Sequence, residues 1–429
     1  MKKLREHDQR RRLADEAHAR PFQPADAPCR VTHLAMVQTQ ADQKLVHSHL
    51  GELCGRFDVR MPPMDATHFS ADFGSFRLRW ERHTEFSSYT LTVPEPAGDA
   101  FSDTALEAVP DEWLDNMPGQ MMVGTHLEVE ASDRSLDFEE ARRLFGGNPV
   151  IGSGMAGGRA TGWTDFQLHS DGFGRMLVRD HGMTSGQTGR LIQRLFEIET
   201  YRMMAMLALP DAQLAMPRIV RIDKDLNKVT AALTDTGGAD GERQLLDRLS
   251  RLAAVVESIG ARSGDRFSAA EAYYAIVQVR IRELREERIE GLQTIEEFMD
   301  RRLAPAMRTC MSTSRRLSAL SARIARASDL LQARIDVALE AQNRDLLASM
   351  DRRAQLQLRL QETVEGLSVA AITYYAVGLV GYMAKGLHAG GLPVNAEIVT
   401  AIAVPVVAIL AWLGVRRVRK VIGKEAREG

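Results

Sequence analysis

The sequence predicts three parts: an N-terminal cytoplasmic α/β domain, a long antiparallel helical stalk of coiled-coil character, and a C-terminal two-helix transmembrane hairpin. Three observations carry this. Strand-like and helix-like patterns alternate through residue 210. The stretch 306–365 contains no Gly or Pro and repeats its apolar residues every three or four positions. Two runs near the end, 367–384 and 398–415, contain no charged residue at all.

The chain has 429 residues, 45% hydrophobic and 26% charged, with a formal net charge of -2. These are ordinary values for a folded protein of two or three domains. The balanced charge gives no reason to expect a nucleic-acid partner. Cys29, Cys54 and Cys310 fall in no paired spacing, so neither a disulfide framework, a zinc site nor another metal site is expected. The opening MKKLREHDQRRRLADEAHARPF is charged with no apolar run behind it, so no signal peptide is expected.

Within the α/β domain, 1–210, Val31–Val37 reads as a strand and Asp42–Cys54 as a helix. Phe73–Val93 alternates like an antiparallel pair of strands. Asp103–Met117 reads as helix and Met121–Val129 as strand. Glycine-rich strands and turns follow, then a strong helix, Gln187–Leu209, ended by Pro210. TDTGGADGE marks 211–241 as a flexible connection. In the stalk, 242–366, Ser268-Ala-Ala-Glu271 has the capping-box pattern for a helix running to 303, and Pro305 suits the first turn of the next. Leu317, Leu320, Ile324, Leu331, Leu356, Leu360 and Val364 carry the seam of a helix predicted to run from Ala306 to Lys385 without a break.

The first span, 367–385, and the second, 398–415, are each long enough to cross a hydrocarbon core, at roughly 27 Å for 18 residues. Arg352, Arg353 and Arg359 precede the pair, and the basic tail 416–429 follows. The positive-inside rule therefore puts both termini in the cytoplasm and the short loop 386–397, with His388 and Asn395, outside a cell inner membrane. Tyr374, Gly378, Gly381 and Tyr382 are the span residues placed to pack or to line a pore.

Three stretches of the N-terminal domain bear on chemistry. Gly152-Ser-Gly154-Met-Ala-Gly157 satisfies GxGxxG, but strand-like sequence follows where a phosphate-binding helix is needed, so a glycine-rich strand is expected and no cofactor. Glu16, His18 and Arg20 stand at alternate positions, which would bring a carboxylate, an imidazole and a guanidinium to one side of an extended segment. They form either a polar site or an ion-paired pin for an N-terminal arm. In Gln193–Arg202, Arg194 and Glu197, or Glu199 and Arg202, are spaced to pair along a helix. No Walker loop, HExxH or nucleophile motif occurs, so no enzyme class is expected.

The stretches LADEAHARPF, LRWERHTEFSSYT, GWTDFQLHSDGFGRMLVRD and GRLIQRLFEIETYRMMAMLALP, with the two terminal spans, resemble a bacterial domain-of-unknown-function family of membrane-anchored proteins. That resemblance implies anchoring and transfers no catalytic residue. The order of parts also looks like that of the CorA-type magnesium channels, homopentamers with a Gly-Met-Asn signature at the outer end of the first span. Here that place reads Gly381-Tyr382-Met383-Ala384, without the amide. Two functions follow as expectations. One is a membrane-tethered scaffold or sensor that self-associates through the stalk and meets a cytoplasmic protein partner. The alternative is a homo-oligomeric CorA-like channel. An enzyme built on Glu16, His18 and Arg20 is a third expectation.

Overall fold

The computed structural model describes residues 6–11, 13–14, 22–39, 42–94, 99–132, 136–235, 239–389 and 395–428. The chain forms two compact units, one of Met1–Thr236 with Arg243–Ser328, the other of Gly237–Glu242 with Asp329–Gly429.

The first unit is organised by one nine-stranded sheet. Its strands are β1 (Cys29–Val37), β2 (His68–Asp72), β3 (Arg77–Arg82), β4 (Phe86–Val93), β5 (Gln120–Ala131), β6 (Ile151–Met155), β7 (Ala160–Thr164), β8 (Gly174–Asp180) and β9 (Glu287–Arg288). They lie in the order β2-β3-β4-β1-β5-β8-β7-β6-β9. Neighbours run antiparallel except β5 and β8, which pair parallel from Thr125↔Gly174 to Ala131↔Asp180. A parallel pair needs a crossover, and helix α3 (Phe138–Leu144) with the β6–β7 hairpin supplies it.

Alternation along β1 fills two cores. Val31 joins Leu127 and Val129 of β5 beneath helix α4 (Ser185–Met206), with Leu191, Leu195 and Phe196. Leu34 and Met36 point the other way, toward Val46, Leu50 and Leu53 of helix α1 (Gln43–Arg56) and toward Trp113. Each large apolar side chain so buried contributes on the order of 1.5–3 kcal/mol. Trp113 belongs to the short α2 (Asp111–Asp115). The continuous helix predicted over Asp103–Met117 is instead a 3-10 turn, Ala105–Ala108, followed by α2, because Pro110 intervenes and cannot continue the helix.

The first core extends into the helices that follow. Phe267, Val277 and Ile281 of α6 (Ala239–Leu284) and Ile295, Met299 and Met307 of α7 (Ile295–Ala389) belong to it. Several expectations change accordingly. Helix α5 (Ala208–Asp235) occupies most of the stretch predicted as a flexible connection, 239–241 begin α6, and 236–238 lie outside the described residues. Ile219, Ile222, Leu226, Val229 and Leu233 of α5 are buried at helical spacing, and the turn signals begin only at Thr234, where that helix ends. Pro210 falls in the first turn of α5, where its missing N–H costs nothing. Ser268 lies mid-helix in α6 and caps nothing. Residues 285–294 break the helix predicted to run to 303, and Pro305 sits inside α7 rather than in its first turn.

The break is built by Glu286. Its carboxylate accepts the backbone N–H groups of Ile295 and Glu296, both at 2.9 Å, and the hydroxyl of Ser153 in β6. Free N–H groups at a helix start favour such a carboxylate. Farther along, Arg323 of α7 pairs with Asp223 and Asn227 of α5, and Leu317, Leu320 and Ile324 are buried.

The second unit holds most of α7 beyond Ser328 and helix α8 (Ala396–Glu428). Both helices are long and apolar enough to cross a membrane, and very little of their apolar stretches is buried. They approach where Gly381 faces Thr400, at a distance that leaves a Cβ only 3.4 Å from the hydroxyl. Leu356, Leu360 and Val364 of the predicted seam are exposed.

Candidate functional site

Strands β3 and β4 send Leu78, Trp80, Tyr89, Leu91 and Val93 into the core beneath α1. The alternate residues, Arg79, Glu81, Ser88, Thr90 and Thr92, join His33 of β1 on the opposite face. This polar face is largely covered. Helix α4 covers it with Gln193, Glu197 and Thr200, spaced i, i+4, i+7 along one side of the helix. The half-open cavity is about 290 Å³, just under the roughly 300–1,000 Å³ of small-molecule sites.

A second stretch of chain closes one side. Residues 22–26 cross α4 at Gly189, where an added Cβ would stand 2.1 Å from the Gln23 carbonyl oxygen, so only glycine allows the crossing. Ala25 N–H donates to the Ser185 carbonyl at 3.1 Å, and Arg190 lies over the Phe22 ring at 4.7 Å. Gln23, Pro24 and Ala25 thereby become part of the cavity wall.

The charges of the lining belong to a chain of contacts that continues beyond the cavity. Arg79 pairs with Glu81 at 2.9 Å and donates to Gln193 Oε1 at 3.2 Å. Gln193 donates to Glu197 at 2.7 Å, and Glu197 pairs with Arg280 of α6. Arg280 reaches Glu283 at 3.0 Å, which also receives Arg194 at 3.1 Å. Buried charge persists only when compensated in this way. Arg79 and Glu81 are nearly buried, with side chains 9% and 15% exposed.

His33 anchors the floor. Its ring stacks on Phe196 at 4.7 Å, Nδ1 lies 2.9 Å from the Thr90 hydroxyl, and Nε2 lies 3.0 Å from that of Thr200. Burial, with smaller contributions from His83 and Arg79, pushes its pKa down to about 3 from 6.5. It is therefore a neutral hydrogen-bonding ring. The folded value lies below the unfolded one, so its stabilisation is complete above pH 6.5 and is lost as pH falls toward 3, by up to about 1.4 kcal/mol per pH unit. His126, held near 4 chiefly by burial, acts in the same sense. Glu128, raised to about 7 chiefly by burial, acts oppositely between pH 4.5 and 7. We expect melting temperature to fall from pH 6.5 to 4.5 in the wild type, and to fall less in His33→Gln, which keeps hydrogen-bonding capacity without a titrating proton. Parallel profiles would refute that assignment.

Glu197 and Gln193 lie in the stretch the sequence marked, but the pairing differs. Arg194 pairs with Glu283 rather than Glu197, while Glu199 and Arg202 do pair, through two contacts of 2.6 Å. Glu16, His18 and Arg20 lie outside the described residues. Tyr374, Gly378, Gly381 and Tyr382 line one groove of the second unit with Lys385 and Thr400. His388 is the next-to-last residue of α7, and Asn395 accepts from Glu397 N–H before α8. The GxGxxG stretch forms β6 and the turn into β7, with no helix behind it. Among the described residues no grouping of three His, Cys, Asp or Glu side chains could hold a metal ion.

Arg79, Glu81, Ser88 and Thr90 were legible as alternation but not as a site. The usable signal is a charged strand face matched by polar residues at i, i+4, i+7 on a later helix.

The chain belongs to the family described as Protein of unknown function (DUF3422), whose model matches residues 5–422. No curated protein and no solved structure gives a match. None of these findings supports the likeness to CorA-type channels.

Proposed function

We propose that this protein is a membrane-tethered sensor. Its α/β unit takes a compact polar metabolite into the cavity between β1, β3, β4 and α4, and its two apolar helices hold it in the inner membrane with both termini cytoplasmic. The observation that carries the reading is the wall itself: guanidinium, carboxylate, carboxamide, hydroxyl and neutral imidazole groups converge on one 290 Å³ space. Such a lining offers donors and acceptors in fixed places, which suits a ligand carrying both, an amino-acid-like zwitterion for example. Every charged lining group is already paired, which favours binding over acid–base chemistry. A second copy of the chain is the partner proposed for the exposed Leu356, Leu360 and Val364 seam. A cytoplasmic protein is the partner proposed to receive the signal.

The test is thermal-shift and equilibrium binding of the detergent-solubilised full chain against a panel of small polar metabolites. A ligand that raises the melting temperature of the wild type but not of Ser88→Phe, which fills the cavity, supports the reading. Equal shifts in both proteins would sink it.

A further inference from the structure

A separate groove of about 350 Å³ lies on the outer side of α4, against the end of α6. Arg190, Arg194, Arg282 and Arg285 line it, with Glu283 as its one carboxylate. Arg159 stands beside it, donating to Gln187 at 3.2 Å. Glu283 is already shared between Arg194 and Arg280. Among the described residues Arg282 and Arg285 have no carboxylate partner, and both are exposed. In a chain of net charge -2 this is a local excess of positive charge that the protein does not neutralise itself. Arg285 also holds a left-handed backbone, φ 51°, a conformation that costs a non-glycine residue of order 1 kcal/mol or more and that is concentrated at functional sites.

We infer that this groove is an anion site for a phosphate-bearing ligand, recognised by the fork geometry of guanidinium groups. The inference does not depend on the polar cavity holding a ligand. It does connect the two places. Arg194 borders the anion groove and Arg280 the polar cavity, and both hold Glu283. An anion that draws Arg194 away from Glu283 leaves that carboxylate to Arg280, which loosens Arg280 from Glu197. Occupancy of the groove thus alters the wall of the cavity.

The experiment titrates inorganic pyrophosphate into the full chain in phosphatidylcholine nanodiscs by calorimetry, alongside glycerophosphoglycerol, the soluble headgroup of an anionic lipid. Saturable binding that weakens at least about tenfold in R282Q/R285Q, with an unchanged melting temperature, supports the site. Tighter pyrophosphate binding assigns a free phosphate compound, and tighter glycerophosphoglycerol binding assigns a lipid headgroup. Absence of binding to the wild type, or equal affinity in the double variant, overturns the inference. Should the double variant fail to fold, Arg285→Gly, which relieves the left-handed backbone, replaces it and is expected to bind several-fold more weakly.

Discussion

Replacing Arg179 by Met is expected to cost the first unit about 3–5 kcal/mol. Its guanidinium has no solvent exposure, pairs with Glu130 at 2.8 Å and Glu140 at 2.7 Å, and stands 5.5 Å from the Trp163 ring. Glu130 lies beside it on β5, the parallel neighbour, whereas Glu140 belongs to α3. One buried cation therefore fastens the crossover helix to the sheet. Methionine would fill the volume but leave two carboxylates without their counter-charge, and Glu140 is only 11% exposed. The measurement is a denaturation midpoint of the full chain. Arg179→Lys keeps the charge without the fork and should fall between wild type and Met. A Met variant within about 1 kcal/mol of wild type would show that the carboxylates relax at little cost.

The second large effect concerns location. Tyr374, Tyr382, Leu367 and Ile402 are all more than 60% exposed, and the apolar stretches that carry them find almost no cover within the chain. In water each such side chain forfeits on the order of 1.5–3 kcal/mol, which sums over two spans to tens of kcal/mol. Partition should therefore be all-or-none. The full chain is expected in the carbonate-resistant membrane fraction, and a chain lacking 367–415 in the supernatant. Recovery of the full chain as freely soluble protein without detergent would dispose of the membrane reading. A cysteine placed at His388, labelled from outside intact cells, tests the orientation.

Much of the scaffold was legible beforehand. β1, the β3–β4 pair, β5 and α4 follow from period-two and period-3.6 patterns that burial reinforces. The continuity of α7 through 306–385 follows from the absence of Pro throughout and of Gly before Gly366. What stayed hidden had two causes, misleading turn signals and distant contacts. Ile219, Ile222, Leu226, Val229 and Leu233 do recur at the three/four spacing of a buried helix face, as do Leu245, Leu249, Val256 and Ile259 ahead of Ser268. The turn residues of 234–242 and the capping-box pattern at Ser268 masked them. The cavity was hidden because distant contacts build it. Arg79 and Glu197 become site residues only because α4 lies across β3, and Gly189 reads as an ordinary helix glycine until residues 22–26 are laid over it.

The pairing of β9 with β6 bears on how the polypeptide is made. Strand β6 ends at Met155, yet its outer neighbour arrives only at Glu287, after α4, α5 and α6 have been synthesised. During translation the border of the nascent sheet is thus an open template for another strand, the kind of edge on which unfinished proteins clump. A ribosome stalled between these points would hold a fragment prone to self-association. Biogenesis should accordingly lean on chaperones until Arg288 has emerged.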